Sequence, residues 1–558
     1  MREIVNLKIR LVMLVVLLCV SGIATAVERY VPSQYSSIQA AIDDSVDGDT
    51  VVVAPGTYTG AGNRNIDFKG QDITVKSENG PDSCIIDCQR TDRGFYFHSG
   101  ETRKAVLEGF TITNGYVTNT HGGGIYCTNS SPTVTNCILQ NNTAYSATTG
   151  AMAFGGGMCI YYGSPTLTNC IFSANLGGWG GGMCNSVGGS AIVKNCVFRS
   201  NSTQYLGGGM FNTIGNPYII NCTFINNSGA AGGGMWNGQC SPTLINCIFS
   251  ANSAHYDGGG VYNRESQARL TNCTLSRNTA GQGSGIYNED SNPILTNCIV
   301  WGNSGQEIMN ERSTAYISFS DVYGDWPGNG NIYADPLFID PDNHDYHLSE
   351  DSPCIDAGPN TPQGGLPETD IDGEQRVMLG RVDMGADEFN PFAAEFVVVR
   401  RERVERTVFE YECEVVLENI SRFAVKNASI EMAQASENMT IINPEVSFSD
   451  AEIPAGASAR SVDTCTFTVD RAEAIDPAGI IWRVTAELAD TGAKMEHTLA
   501  SIPPVGPPET RFEYLAGLAE QWLWVGTPGG IEEDTVPDGS VNLADFAEFA
   551  ANWRGTEQ

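Results

Sequence analysis

Gly180-Gly-Gly-Met-Cys-Asn185-Ser-Val-Gly-Gly-Ser-Ala-Ile-Val-Lys-Asn195-Cys-Val-Phe-Arg-Ser-Asn201 is one of seven copies of a single phrase written between Gly122 and Asn303. Each copy has a glycine cluster, an apolar pair, a Thr- or Leu-rich segment ending in Asn-Cys, and a short apolar segment ending in Asn. The Asn-Cys pairs are Asn136-Cys137, Asn169-Cys170, Asn195-Cys196, Asn221-Cys222, Asn246-Cys247, Asn272-Cys273 and Asn297-Cys298. Cys170 to Cys298 spans 128 residues in five intervals, or 25.6 per repeat. Only the first interval is longer, which marks Tyr145 to Ala153 as a loop inserted into one repeat.

Counting from each ladder cysteine, the second residue on is always apolar: Leu139, Phe172, Phe198, Phe224, Phe249, Leu275 and Val300. The residue between is Ile, Val or Thr, which suits a pleated surface, so Cys and Phe share one face of a short strand. The apolar position three residues before the cysteine is out of phase with that strand. A corner at the intervening Asn resets it. Asn recurs five residues after each cysteine (Asn142, Asn175, Asn201, Asn227, Asn252, Asn278 and Asn303), and a third series follows the glycine clusters (Asn185, Asn212, Asn237, Asn263 and Asn288). Asn tolerates the left-handed backbone of a sharp corner, and its amide can bond to the same amide one coil away. Three strands with such corners in about 26 residues describe one coil of a parallel β-helix.

The elements Gly180-Gly-Gly-Met183 and Phe172-Ser-Ala-Asn175 resemble the repeats of polymorphic outer-membrane proteins and of secreted right-handed, pectin-lyase-like β-helices, over roughly residues 29–390. The resemblance implies a right-handed parallel β-helix solenoid at 27–325. Upstream, Tyr35 to Ile42 reads as an amphipathic helix that caps the first coil. Downstream, Asp335-Pro-Leu-Phe338, Tyr346-His-Leu348, Asp370-Ile-Asp-Gly373 and Asp383-Met-Gly-Ala-Asp-Glu388 resemble a choice-of-anchor Q segment, which implies an Asp/Gly-rich closure at 326–391. Its carboxylates suit either Ca²⁺ or the commoner role of Asp in turns.

Residues 1–26 have the charged, apolar and small-residue order of a secretory signal peptide, with Arg2, Lys8 and Arg10 before Leu11 to Val20 and Ala24-Thr-Ala26. A secreted, extracellular or cell-surface location is expected, with no membrane insertion. Without these residues the chain carries 28 basic and 64 acidic groups, which argues against nucleic acid as a partner. The acidity lies in the flanks: Tyr116 to Asn310 has five groups of each sign. The ladder cysteines are expected to stack inward as small buried hydrophobes.

Residues 392–500 show alternating runs that predict a β-sandwich, with Cys413 and Cys465 as candidates to bridge its sheets beside Trp482. A proline-rich linker follows at 501–509. In 510–558, Leu515 to Trp522 recurs as Phe546 to Trp553, and Asp534, Asp538, Asn542 and Asp545 stand where a Ca²⁺ loop places oxygen ligands. This segment is similar to a dockerin, although Val536 replaces one ligand. The resemblance implies a small α-helical tail, Ca²⁺ as cofactor and a cohesin-like partner.

Pectin-lyase-like solenoids include polysaccharide lyases, hydrolases and esterases, whose chemistry uses carboxylates on neighbouring coils. Between Gly109 and Tyr256 this chain has no Asp or Glu. The reading therefore leans away from catalysis and assigns no catalytic residue, with a polysaccharide lyase or hydrolase as the alternative. The best candidate cluster, His255, Asp257, Arg264, Glu265, Arg269 and Arg277, reads more simply as solvated loop residues. The preferred reading is a secreted, non-catalytic surface scaffold that binds glycan or another envelope component. Tyr126, Tyr161, Tyr162, Trp179, Tyr205, Trp236, Tyr256, Tyr262 and Tyr287 would form a platform for sugar rings if they face outward. Inward stacking is equally compatible with their spacing.

Overall fold

The computed structural model describes residues 26–500 apart from 149–151, 363–364, 378–380, 422, 437, 450–451, 471–479, 491 and 493. Residues 1–25, read above as most of a signal peptide, and 501–558, read as a linker and tail, lie outside the described residues. The chain divides into two compact units, Met1–Phe389 and Asn390–Gln558.

From Glu28 to Val322 the first unit winds as a parallel β-helix. A regular coil lays a strand in each of four sheets, here numbered in coil order. In one coil these strands are Met183–Ser186 (sheet 1), Ile192–Lys194 (sheet 2), Val197–Arg199 (sheet 3) and Ser202–Thr203 (sheet 4). Coils stack with like residues in register: Met183 on Met210, Val193 on Ile219, Phe198 on Phe224 and Ser202 on Ser228. The fourth strand corrects the expected three; at two residues in most coils it is too short to leave an alternating pattern.

The interior is built from the residues that the period aligned. All seven ladder cysteines are fully buried in the solenoid core. Beside them Phe172, Phe198, Phe224 and Phe249 stack with centroids 4.6, 4.7 and 4.6 Å apart. Each such pair adds about 0.5–1.5 kcal/mol to the burial of the rings.

The asparagine series differ in backbone and burial, although the corner series also bonds amide to amide between coils, as Asn246 Nδ2 does to Asn221 Oδ1 at 3.1 Å. Asn136, Asn169, Asn195, Asn221, Asn246, Asn272 and Asn297 all take left-handed backbone, with φ between 49° and 61°. The series five residues after the cysteines is a buried amide ladder without that backbone. Asn201 Nδ2 donates to Asn227 Oδ1 at 3.0 Å, and Asn227 Nδ2 to Asn252 Oδ1 at 2.9 Å. There the left-handed turn falls one residue earlier, at Ser200, Asn226 and Ala251.

The solenoid's first coil is capped by helix Ile38–Asp43, whose N-cap Ser37 accepts from the Ala40 N–H and which buries Ile38, Ala41 and Ile42. At the other end, Ile332 bridges Asp321 and Trp326 packs on the core. The chain then turns back along the side of the coils rather than ending there. Strands Phe338–Asp340 and Asp345–Leu348 form an antiparallel hairpin. Its Tyr346 packs with Ile248 and Ala386, and the Tyr346 hydroxyl lies 2.6 Å from Ser250 Oγ. Farther on, the Ala386 N–H donates to Thr274 Oγ1 at 3.0 Å and the Gly385 N–H to the Asn297 carbonyl at 2.9 Å. Arg376, wholly buried, lies 3.6 Å from the Glu388 carboxylate. With the Asn272 amide oxygen turned toward it, the guanidinium donates to that oxygen at 2.8 and 2.9 Å.

The second unit holds two antiparallel sheets. One has strands Phe392–Arg403, Val408–Asn419, Cys465–Asp470, Met439–Asn443 and Ala457–Arg460; the other has Glu445–Ser447, Val425–Gln434, Ile481–Leu488 and Lys494–Ala500. Phe396 and Trp482 meet across them with centroids 4.1 Å apart. The expected bridge between sheets is corrected. Cys413 and Cys465 are opposite one another on neighbouring strands of a single sheet, and both are free thiols.

The architecture is also corrected at its carboxyl end. Helix among the described residues is confined to Ile38–Asp43 and the 3-10 turn Pro341–Asn343, so the described fold is a β-solenoid plus antiparallel sheet with no α-helical, dockerin-like element. The candidate Ca²⁺ positions Asp534, Asp538, Asn542 and Asp545 lie outside the described residues. An amphipathic period eight residues long is a weak helix signal without a partner to bury it. Attachment through a dockerin to a cohesin-like protein is therefore dropped from the reading.

Candidate functional site

Alternation within the short strands of sheet 1 decides what faces away from the core. In Met183–Ser186 the methionine points inward, so Cys184 points outward. Register carries this along the solenoid. Tyr96, Tyr126, Cys159, Cys184, Phe211, Trp236, Tyr262 and Tyr287 form one outer column.

A second column, Phe154, Trp179, Leu206, Ala231 and Asp257, precedes the glycine clusters, and its apolar members pack against the first. The turn between columns depends on glycine. At Gly207 φ is +71°, and a Cβ would lie 2.4 Å from the Met210 carbonyl oxygen. Trp236 and Phe211 stack at 4.7 Å, and Phe154 lies 5.2 Å from Trp179.

Trp236 and Tyr287, at 8% and 4% exposed, form a covered floor, whereas Tyr205 and Tyr256 are 42% and 61% exposed on the neighbouring rim. The rim tyrosines stand two coils apart, with the small Ala230 between them: the Ala230 N–H donates to the Tyr205 carbonyl at 2.8 Å, and the Tyr256 N–H to the Ala230 carbonyl at 2.9 Å. Trp179 backs Tyr205 at 4.5 Å, and His255 meets Tyr256 edge-on at 4.5 Å.

Charge gathers at the two ends of this face. At one, Arg93 lies 5.0 and 5.4 Å from the rings of Tyr96 and Tyr126. At the other, Tyr262 donates to Glu289 at 2.8 Å and Tyr287 to Glu311 at 2.6 Å. Arg312 pairs with Glu289, Asp290 and Glu311, and Arg264 with Glu289 at 3.4 Å. Burial pushes the Tyr262 and Tyr287 hydroxyls up, helped by the carboxylates that hold their protons. Asp257 is raised by burial and then by Glu311 and Glu289. Such an end offers both donors and acceptors to a polyhydroxylated ligand.

None of the nine aromatics picked out in the sequence belongs to the interior core cluster; the outward alternative holds. The sequence reading overlooked His121, Phe154 and Phe211, whose position just before or just after a glycine cluster was the available signal. The six-residue charged cluster disperses. Asp257 and Arg264 reach the acidic end of sheet 1, Glu265 accepts from Gln239, Arg269 opens a strand of sheet 2, and Arg277 pairs with Asp342 at 2.5 Å.

A second constellation lies in the Asp/Gly-rich closure, whose carboxylates the sequence offered for Ca²⁺ or for turns without pointing to His347 beside them. In an open cleft of about 290 Å³ between the hairpin and the coil flank, His347, Asp372 and Asp387 bring one ligand atom each within 4.8 Å of one another. These residues could coordinate a metal ion. Burial raises the Asp387 carboxyl well above the usual range, and Asp370, Asp372 and Glu374 add to the effect.

Comparison with known proteins follows the solenoid. The family description "Right handed beta helix region" matches residues 162–322. No curated protein sequence matches the chain. Among solved structures the chain is similar to the A-module of the mannuronan C-5 epimerase AlgE4 of Azotobacter vinelandii, at 12% identity over 54% of this chain and 96% of that one, with a TM-score of 0.18. It is also similar to PfbA, a surface adhesin of Streptococcus pneumoniae, at 12% identity, the same coverages and a TM-score of 0.22. Scores of this size say nothing about activity or ligand. Among the described residues no helix is long and apolar enough to cross a membrane.

Proposed function

We propose that the chain is an extracellular or cell-surface β-helix protein that binds glycan along the outer face of sheet 1. The observation that supports this most directly is the pair of exposed rim tyrosines, Tyr205 and Tyr256, beside the aromatic columns and the carboxylate–arginine end. Aromatic faces stack on the apolar faces of sugar rings, while the carboxylates and guanidinium groups suit hydroxyls. Coils repeat every ~4.8 Å, so an extended saccharide lying along the solenoid meets successive contacts at a spacing near that of its own rings. The formal charge of −34 disfavours polyanionic ligands and favours neutral glycans.

The test is a glycan array followed by affinity electrophoresis of the mature full-length chain in neutral and acidic polysaccharides. Retardation by a neutral polysaccharide is expected. Absence of binding on both platforms, or release of reducing or unsaturated ends from the polysaccharide, would replace this reading with another.

A further inference from the structure

We propose that His347, Asp372 and Asp387 hold a divalent transition-metal ion of the Zn²⁺ or Mn²⁺ class, which clamps the fold-back segment to itself on the flank of the solenoid. The hairpin strand Asp345–Leu348 buries Tyr346 and Leu348 and leaves Asp345 and His347 on its open side. That alternation sets the two side by side. His347 Nδ1 lies 2.5 Å from Asp345 Oδ1, so its proton is directed to that carboxylate. The Nε2 lone pair is left to face Asp372 Oδ2 at 3.5 Å and Asp387 Oδ1 at 3.8 Å. A carboxylate behind a histidine fixes the ligating tautomer and raises its basicity.

The other two ligands are fixed by backbone. Asp370 Oδ1 accepts from the Asp372 and Glu374 N–H groups at 3.0 and 2.8 Å, and Asp370 Oδ2 from the Glu388 N–H at 3.0 Å. Asp370 is therefore the turn-former, and its bonds hold Asp372 and Asp387 near each other. Independently of the clustering, Asp387 is 4% exposed and neither of its carboxylate oxygens has a hydrogen-bond partner. Two bare acceptors on a buried carboxylate are costly, and a cation satisfies both. Among the described residues His347 is the one basic side chain in ion-pair reach of Asp372 or Asp387. Arg376 is engaged elsewhere, with Glu388 and the Gly385 carbonyl.

The donor set identifies the class of metal. One imidazole with two carboxylates suits Zn²⁺ or Mn²⁺, whereas Ca²⁺ takes six to eight oxygens and no imidazole. The half-open side, where His347 and Asp372 meet solvent, leaves room for water ligands. The clamp joins the hairpin to the Asp370–Glu374 turn and to the Asp383–Glu388 stretch, three separate pieces of chain.

The experiment is calorimetric titration of the chelator-stripped, full-length mature protein with Zn²⁺, Mn²⁺ and Ca²⁺, with bound metal counted by elemental mass spectrometry. One equivalent of Zn²⁺ or Mn²⁺ is expected, with Ca²⁺ weaker, and Asp387→Asn and Asp372→Asn should each weaken uptake by about tenfold or more. Asp372 is at a half-exposed position, so its variant still reports if Asp387→Asn fails to fold. Bound metal should also slow proteolysis within 338–389. No stoichiometric uptake overturns the proposal, as does uptake that Asp372→Asn leaves unchanged, which would place the ion elsewhere in the chain. Tighter binding of Ca²⁺ than of Zn²⁺ and Mn²⁺ overturns the assigned class.

Discussion

Asn303 and Glu307 terminate the buried amide ladder of the solenoid: the Asn303 N–H donates to Glu307 Oε1 at 3.2 Å and Asn303 Nδ2 donates to Oε2. In earlier coils the same two donors meet the asparagine of the next coil. A carboxylate thus replaces the missing neighbour, and it titrates. Burial raises Glu307 to about 7, against the bonds from Asn303, and burial raises Asp321 on the same coil end to about 7.

Both acids have folded values above their ordinary 4.5 and 3.8, so the folded protein holds these protons more tightly than the unfolded chain. Their contribution is complete in acid below about pH 4 and is lost as pH rises through about 7. The unfolding free energy of the solenoid from urea titration should fall between pH 5 and pH 8, by a few kcal/mol at most. Glu307→Gln should flatten part of that slope. A slope identical to the wild type would show that Glu307 does not titrate in this range.

The two asparagine roles predict opposite tolerance. Asn227→Ala removes an amide that bonds to Asn201, Asn252 and the Phe198 carbonyl, leaving buried partners bare at a cost of roughly 3–5 kcal/mol. Asn221→Gly keeps the left-handed corner that Asn221 occupies, with φ at 50°, and loses one bond from Asn246 Nδ2, which retains the Thr369 carbonyl, so it should cost only about 1 kcal/mol. Denaturant midpoints of the two variants compare them directly.

Thiol chemistry tests the inward register. The ladder cysteines are fully buried, and burial lifts the neighbouring thiols of Cys84 and Cys88 to about 12. Labelling of the native protein at pH 8 should therefore be slow until denaturant is added. Rapid modification of most of the seven would place them on the outside.

On sheet 1 the rim and floor are separable. Tyr205→Ala combined with Tyr256→Ala should lower glycan affinity about tenfold without moving the thermal midpoint, because both rings are exposed. Trp236→Ala, which empties a covered position, should instead cost about 3 kcal/mol of stability. Affinity electrophoresis and calorimetric melting of the same samples measure both effects, and unchanged affinity in the double variant would exclude the rim.

The sequence by itself determined the solenoid, because a period near 26 residues with Cys and Phe two apart leaves one way to bury both on every coil. It also marked the left-handed corners, since Asn at a phase change has that local preference. The side taken by the aromatics was left open, because a glycine turn with positive φ resets the phase between the loop column and the strand column. The sequence likewise placed Cys413 and Cys465 in strands but not in the same sheet, since strand pairing is a long-range choice. Only the tertiary structure brought His347 to Asp372 and Asp387, and Arg376 to Asn272. The first meeting joins separate stretches of the fold-back segment, and the second depends on the chain doubling back over a coil laid down some hundred residues earlier; no local pattern encodes either.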